Sequence, residues 1–154
     1  MVKKAETKVI EMENKIEKMT QFLADNKIEC CYIQKLEDEH HTTIFRSRME
    51  VKGQLLPMAL LMDDSVYVML QVQIAPQVID EEKLKALAGA INNMNNNVRP
   101  FKFTVSEKGD LMLNACITAE NNTFNPALTN AIMAEAVKFL EAQYGNIMEA
   151  VWAK

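Results

Sequence analysis

The segment from Asp80 to Ile117 constrains the fold more than any other part of the chain. It opens with a short amphipathic helical pattern, DEEKLKALAGAINNM, which runs into asparagines, and it continues as RPFKFTVSEKGDLMLNACI. In this second part apolar residues recur at every second position on both sides of the turn at 107–110, which predicts a β-hairpin. A helix followed directly by a hairpin, with more strands before it and a helix after it, indicates an α+β fold.

Four further strands are predicted between Ile28 and Ala75, because the apolar residues there follow a period of two. The connections are too short for crossovers, so neighbouring strands are expected to pair antiparallel. Pro76 ends the last strand. The four predicted strands are Cys30–Leu36, Thr42–Val51, Gln54–Met62 and Ser65–Ile74.

An N-terminal helix is predicted from about Ala5 to Asn26, because apolar residues recur there at spacings of three and four. Glu11 and Lys15 are expected to pair on its solvated face. A coiled coil is the alternative interpretation, although about two heptads are fewer than such structures normally need. The apolar stripe is Val9, Met12, Ile16, Met19 and Leu23.

Two more helices are predicted from their starting residues. Asp80 is a good N-cap for a helix from Glu81 to about Met94. Asn125 precedes Pro126, a residue that suits the first position of a helix, and the pattern that follows predicts a long C-terminal helix with a kink at Gly145. The residues expected to point inward are Leu84, Leu87, Ala88 and Ile91 in the first, and Leu128, Ile132, Ala136, Phe139 and Leu140 in the second.

Composition indicates one domain, residues 1–154, with a core of ordinary size. The net charge of −4 and the presence of only three arginines leave no basic patch, so nucleic acid is not an expected partner. The longest apolar run, Leu55–Met62, is too short to span a bilayer, and no membrane association is expected. With no secretory signal and an odd cysteine count of three, a cytoplasmic location is predicted.

With these elements placed, the chain resembles the YbjN-like family of bacterial sensory transduction regulators, whose fold is that of the class I type III secretion chaperones. The resemblance rests on the element order α-β-β-β-β-α-β-β-α, on LKALAGAINNMNNNVRPFKFTVSEKGDLMLNACI, and on the ending EAQYGNIMEAVW. It implies an antiparallel sheet packed by N-terminal, middle and C-terminal helices. It also implies a non-enzymatic, homodimeric binding protein without catalytic residues or cofactor.

The acidic loop around His40 and His41 is the one cluster with metal-ligand atom types, since Glu37, Asp38 and Glu39 precede it. The two histidines are adjacent, and they lack the i,i+4 partner of a preformed zinc site. A solvated turn is therefore the favoured interpretation, and a small metal- or ligand-dependent enzyme that uses this loop is the alternative. Cys30 and Cys31 are expected to point to opposite faces of a strand, which argues against a shared metal or redox role.

The strand Gln54–Met62 is unusual because both of its alternations are apolar, whereas a half-solvated antiparallel strand should have one polar side. We expect one alternation to lie on a second apolar sheet face that binds a partner or a second copy. Pro57 suggests that this is an edge strand. Met112 and Cys116 extend the face from the hairpin. The expected interface residues are Leu56, Met58, Leu60, Met62, Tyr67 and Met69.

This second face could instead be covered within the chain, either by a helix that crosses to it or by a sheet that curls over itself. If it is uncovered, its methionines suit a surface that adapts to varied partners. The sequence thus predicts a protein-binding module, a regulator or chaperone-like adaptor that holds a partner segment on an apolar sheet face. A structural subunit of a larger assembly is a third hypothesis beside the binding module and the enzyme.

Overall fold

The structure, a computed structural model, describes residues 14–153, which form a six-stranded sheet and three helices. The predicted α+β class and element order are confirmed. The first part of the predicted N-terminal helix, with Val9, Glu11 and Met12, lies outside the described residues. The elements are α1 (Lys15–Asp25), β1 (Tyr32–Lys35), β2 (Thr43–Val51), β3 (Gln54–Met62), β4 (Tyr67–Ala75), α2 (Glu81–Asn96), β5 (Lys102–Val105), β6 (Leu111–Thr118) and α3 (Pro126–Trp152).

All neighbouring strands are antiparallel, in the spatial order β1-β2-β3-β4-β6-β5. The second strand of the final hairpin therefore lies beside β4, and β5 is at the edge. A two-residue turn joins β2 to β3, with positive φ at Lys52 (49°) and Gly53 (77°), the backbone that matches the twist of a tight hairpin. This turn pairs Val51 with Gln54 and so sets the register of the whole β2–β3 ladder.

One face of the sheet, which we call the covered face, packs against the three helices. From β2, Phe45, Met49 and Val51 point to it, as predicted, and Arg46 and Arg48 point away. The helices contribute fully buried side chains to the same core, and each helix buries only one stripe. These helix residues are Met19 and Leu23 from α1, Leu87 from α2, and Ala136, Leu140, Ile147 and Val151 from α3.

α2 and α3 begin where the sequence predicts, whereas Asn14, inside the predicted N-terminal helix, has an extended backbone and caps α1, which begins at Lys15. The Asp80 side chain accepts a hydrogen bond from the backbone N–H of Lys83 at 2.8 Å, and Asn125 accepts one from Leu128 at 3.2 Å, with Pro126 as the first residue of α3. Each cap satisfies a backbone donor that has no partner within its helix. α3 then continues through Gly145 as a single helix of 27 residues.

Three helix residues that were expected to point inward are exposed. Leu128 in the first turn of α3 is exposed, and so are Leu84 and Ala88 in α2, where Leu87 is the buried residue. α2 contacts β5 and α3 at one end of the sheet rather than lying across it, so only a narrow stripe of the helix is covered.

The prediction that Lys15 lies on a solvated helix face is also wrong, because its side chain is 2% exposed. Its Nζ donates hydrogen bonds to the carbonyl oxygens of Ser65, Tyr67 (3.0 Å) and Ala119 (3.4 Å). Burial lowers the pKa of Lys15. The first turn of α1 lies over the start of β4 and the end of β6, where these carbonyl groups need a donor.

The outer edge of β5 is paired by a side chain from the end of α2. The Asn95 amide donates to the carbonyl oxygen of Phe103 at 3.1 Å and accepts from the backbone N–H of Phe103 at 2.7 Å. This amide takes the place of a neighbouring strand at that position. Since unpaired edges invite strand addition, Asn95 protects this side of the sheet.

Candidate protein-interaction surface

The face of the sheet opposite the helices, which we call the open face, has no helix packed on it within residues 14–153. Its side chains alternate along each strand with those of the covered face. The open face consists of Tyr32 and Gln34 on β1, Ile44, Arg46, Arg48 and Glu50 on β2, Leu55, Pro57, Ala59 and Leu61 on β3, Tyr67, Met69, Gln71 and Gln73 on β4, Met112, Asn114, Cys116 and Thr118 on β6, and Lys102 and Thr104 on β5.

The six residues predicted as one interface do not share a face. Directly paired residues of neighbouring strands lie on the same side of a sheet. Leu60 pairs with Phe45 and with Leu70, which are core residues, so its alternation belongs to the covered face. Four of the six therefore lie on the covered face: Leu56, Met58, Leu60 and Met62. Met58 is partly buried and the other three are buried. Tyr67 and Met69 lie on the open face.

A continuous apolar row crosses four strands of the open face. Ile44 pairs with Leu61, Leu61 pairs with Met69, and Met69 pairs with Cys116. Tyr67, next to this row on β4, is 49% exposed, and Leu55 at the other end of β3 is 59% exposed. Within the row itself Ile44 is buried, at 7% exposed, Leu61 and Met69 are half-buried, and Cys116 is exposed. The solvent-exposed apolar area of the open face therefore comes mainly from Tyr67, Leu55 and Cys116, and exposed apolar side chains on one surface are typical of an interaction site.

Beyond this row the open face becomes polar. The next row of paired residues is Arg46, Ala59, Gln71 and Asn114. A surface that combines an apolar row with polar groups resembles the average protein–protein interface, which is about as apolar as the rest of a protein surface. Specificity in such interfaces comes from matching the polar groups as well as from covering the apolar ones.

Pro57 does not mark an edge strand, because β3 lies between β2 and β4. The turn at 52–53 directs the backbone N–H groups of the even-numbered residues of β3 toward β2, so the nitrogen of Pro57 points toward β4. The β3–β4 ladder begins only at Met58. The proline is therefore tolerated at a position where no ladder hydrogen bond is lost.

The His40–His41 loop forms a local hydrogen-bonded structure at the surface. His41 Nδ1 lies 2.6 Å from Asp64 Oδ2, which ties the β1–β2 loop to the β3–β4 turn. Asp38 accepts hydrogen bonds from the backbone N–H and the hydroxyl of Thr42. The hydrogen bond to Asp64 and its negative charge raise the pKa of His41, and the bonds from Thr42 lower the pKa of Asp38.

Within residues 14–153, no three His, Cys, Asp or Glu side chains come together in an arrangement that could hold a metal ion. The three cysteines are all free. Cys30 and Cys116 are exposed and Cys31 is half-buried, and burial raises the pKa of the Cys31 thiol. A raised pKa disfavours the thiolate, the form that binds metals and attacks electrophiles.

Ile44 and Leu61 are the members of the apolar row that the sequence interpretation missed. The signal that identifies them is the two-residue turn at 52–53. Once Val51 is paired with Gln54, counting back along both strands brings Ile44 opposite Leu61 and Phe45 opposite Leu60. The unambiguous alternation of β2 then decides which alternation of β3 is buried.

No protein-family model matches the chain, and no curated protein shows significant similarity to it. None of the helices among residues 14–153 has both the length and the apolar character required to cross a membrane.

Proposed function

We propose that the protein is a non-enzymatic protein-binding module that forms a homodimer through the open face of its sheet. The observation that carries the proposal is the apolar row from Ile44 to Cys116, which crosses four strands on the side of the sheet away from all three helices. Ile44 is already buried within the chain, but packing the open face against a second copy would remove from water the exposed parts of Leu61, Met69 and Cys116, together with Tyr67 and Leu55. Burial of apolar surface is the main favourable contribution to association.

The size of the open face also supports a dimer. Strands β2, β3 and β4 have nine residues each, β6 has eight, and β1 and β5 have four each. At about 3.4 Å per residue and about 4.8 Å between neighbouring strands, the face measures roughly 700 Å². A standard protein–protein interface buries about 800 Å² on each partner. Two open faces packed together would therefore give an interface of ordinary size without rearrangement of either copy.

The resemblance to the YbjN-like family points to the same class of function, a bacterial regulator or chaperone-like adaptor. We further infer a cytoplasmic location, because three free cysteines, two of them exposed, persist most readily in a reducing compartment. The mild net charge of −4 favours protein over nucleic acid as the partner.

The proposal is tested by measuring mass in solution, with light scattering on a size-exclusion column over a range of concentrations. We expect a dimer for the natural chain and a monomer for Leu61→Asp and for Met69→Asp, because each buries a charge in the centre of the interface. Leu84→Asp is the matched control, since Leu84 is 40% exposed on α2, away from the open face.

Circular dichroism on each variant separates loss of association from loss of folding. If Leu84→Asp dissociates the dimer and Leu61→Asp does not, the interface lies on α2 and the proposal is wrong. A natural chain that stays monomeric at high concentration also contradicts it. A large stable assembly would favour the structural-subunit hypothesis instead.

A further inference from the structure

The outer edge of β2 has no paired strand over half of its length, and the chain that leads into β1 contacts this half at Ser47, whose hydroxyl donates to the carbonyl oxygen of Cys30 at 3.2 Å. β1 pairs only with residues Thr43–Arg46, so no strand lies beside Ser47–Val51. The Thr42 carbonyl accepts a hydrogen bond from the Leu36 N–H, which shows that even-numbered residues of β2 direct their backbone groups toward β1. The backbone N–H and C=O of Arg48 and Glu50 therefore point outward, and among residues 14–153 none of these groups has a hydrogen-bond partner.

This open stretch contrasts with the other edge of the sheet. There, Asn95 pairs with the backbone of Phe103 and protects β5. No side chain among the described residues performs that role for Arg48 or Glu50. An edge with two outward-facing residues and no protection is a template on which another strand can pair.

An apolar cleft of about 300 Å³ runs along the covered side of this edge, between β2, the end of α1, the segment 28–31 that leads into β1, and the first half of α3. A strand added beside β2 would direct every second side chain into this cleft. Flexible methionines supply half of the larger apolar side chains in its lining, which suits the accommodation of side chains of varied shape. These larger apolar residues are Leu23, Ile28, Met49, Met58, Met133 and Val137.

The charges at this edge specify what the added strand should contain. The side chains of Arg48 and Glu50 lie on the open face, and their cross-strand neighbours on β3 are the apolar residues Pro57 and Leu55. Neither charge has an ion-pair partner within residues 14–153. Two residues before Arg48 on the same face, the Arg46 Nε–H donates to the Gln34 side chain on β1 at 2.9 Å. Arg46 thus has an acceptor on β1, whereas Arg48 lies beyond the residues that β1 pairs with.

We propose that this edge and cleft bind an extended segment of another protein, which adds to the sheet as a strand antiparallel to β2. Read from its N-terminus, the segment has a basic residue opposite Glu50, an apolar residue opposite Met49 and an acidic residue opposite Arg48. The backbone groups of Arg48 and Glu50 hydrogen-bond to it, and its central apolar side chain enters the cleft. This names the partner class for the proposed protein-binding function and uses the edge of β2 and the cleft on the covered side, and only the side chains of Arg48 and Glu50 share the open face with the apolar row.

The probe is a fluorescently labelled synthetic peptide with the central order Val-Lys-Leu-Glu-Val, blocked at both ends, and its binding is followed by fluorescence anisotropy. The control peptide exchanges the two charges, Val-Glu-Leu-Lys-Val. We expect the control to bind roughly tenfold more weakly, because opposite charges across a strand pair attract and like charges repel. The double variant Arg48→Glu with Glu50→Arg should reverse this preference, and Val137→Asp should weaken binding of both peptides.

Equal affinity for the two peptides, or a double variant that keeps the original preference, would overturn the proposal. The order Arg48-Met49-Glu50 itself matches the proposed pattern, so β2 of a second copy is the competing occupant. Self-association that is lost in Arg48→Glu and regained in the double variant would assign the edge to that second copy and would also overturn it. Leu61→Asp, which tests the apolar row, should leave peptide binding unchanged, so the two proposals fail separately.

Discussion

The side chain of Asn95 pairs with the backbone of Phe103 through two hydrogen bonds, one to its carbonyl oxygen and one from its N–H. A single amide thus satisfies both outward-facing backbone groups of an edge-strand residue. Phe103 is itself a core residue whose ring lies 5.8 Å, centroid to centroid, from that of Phe139 on α3. The asparagine run at the end of α2 therefore does more than end the helix, because one of its members fixes the position of β5.

Asn95→Ala should destabilise the fold by about 1–2 kcal/mol, because the N–H and C=O of Phe103 lose their partners while the helix gains slightly in propensity. Urea unfolding followed by circular dichroism measures the change. Asn92→Ala, an exposed asparagine in the same helix, is the control and should be neutral or slightly stabilising. If the two variants have the same stability, the pairing contributes nothing.

Lys15→Met should destabilise the protein by about 2–3 kcal/mol, because it keeps the length of the buried side chain but removes the donor for three carbonyl groups. The measurement is the free energy of unfolding in denaturant. Lys85→Met, at an exposed position of α2, controls for the loss of a charge and should change stability by less than about 0.5 kcal/mol. An equal loss in both variants would contradict a specific role for Lys15.

Asp64→Asn should lower the NMR titration midpoint of His41 toward the ordinary value of 6.5, because Asp64 raises the pKa of His41 through its hydrogen bond and its charge. A raised pKa in the folded state means that the pair stabilises the fold fully below about pH 6.5. That stabilisation is lost as the pH rises through the pKa of His41. The difference in unfolding free energy between the natural chain and Asp64→Asn should therefore shrink as the pH rises through the pKa of His41.

Glu39→Gln is the control for the His41 titration, because Glu39 lies in the same exposed loop and makes no hydrogen bond to the imidazole. It should leave the titration midpoint of His41 in place. A midpoint that moves equally in both variants would show that the loop charge as a whole, rather than the contact with Asp64, sets the pKa.

Gly109→Ala should destabilise the fold more than Gly53→Ala. Both glycines have positive φ, 86° and 77°, so each alanine is strained by roughly 1 kcal/mol or more. At Gly109 the added Cβ would also overlap the carbonyl oxygen of Ile79, whereas the space around Gly53 is open. Thermal unfolding of the two variants isolates this overlap, and equal melting temperatures would contradict it.

The two faces of β2 could be assigned from the sequence because its apolar residues Phe45, Met49 and Val51 alternate with the charged residues Arg46, Arg48 and Glu50. The two faces of β3 could not, because Leu55, Ala59 and Leu61 are about as apolar as Leu56, Leu60 and Met62. Only the pairing with β2 separates these alternations. The assignment of the six predicted interface residues to one face is wrong for this reason, since hydropathy alone does not distinguish two apolar sides of one strand.

Lys15 and the open edge of β2 depend on contacts that no local pattern contains. The hydrogen-bond partners of Lys15 lie 50 or more residues away along the chain. The position of Lys15 outside the apolar stripe of its helix therefore could not predict that its side chain is buried. The free backbone groups of Arg48 and Glu50 exist because β1 begins only at Tyr32, opposite Arg46. Strand ends are set by tertiary packing and are the least predictable part of an element.

The position of β6 between β4 and β5 has a consequence for synthesis on the ribosome. When β4 has left the exit tunnel, the strand that pairs with its second edge, Leu111–Thr118, is still to be translated. The helix Pro126–Trp152, which contributes Ala136, Leu140 and Ile147 to the core, is made later still. A premature stop codon before Pro126 would therefore release a sheet with its apolar face bare, which should aggregate rather than persist as a smaller working protein.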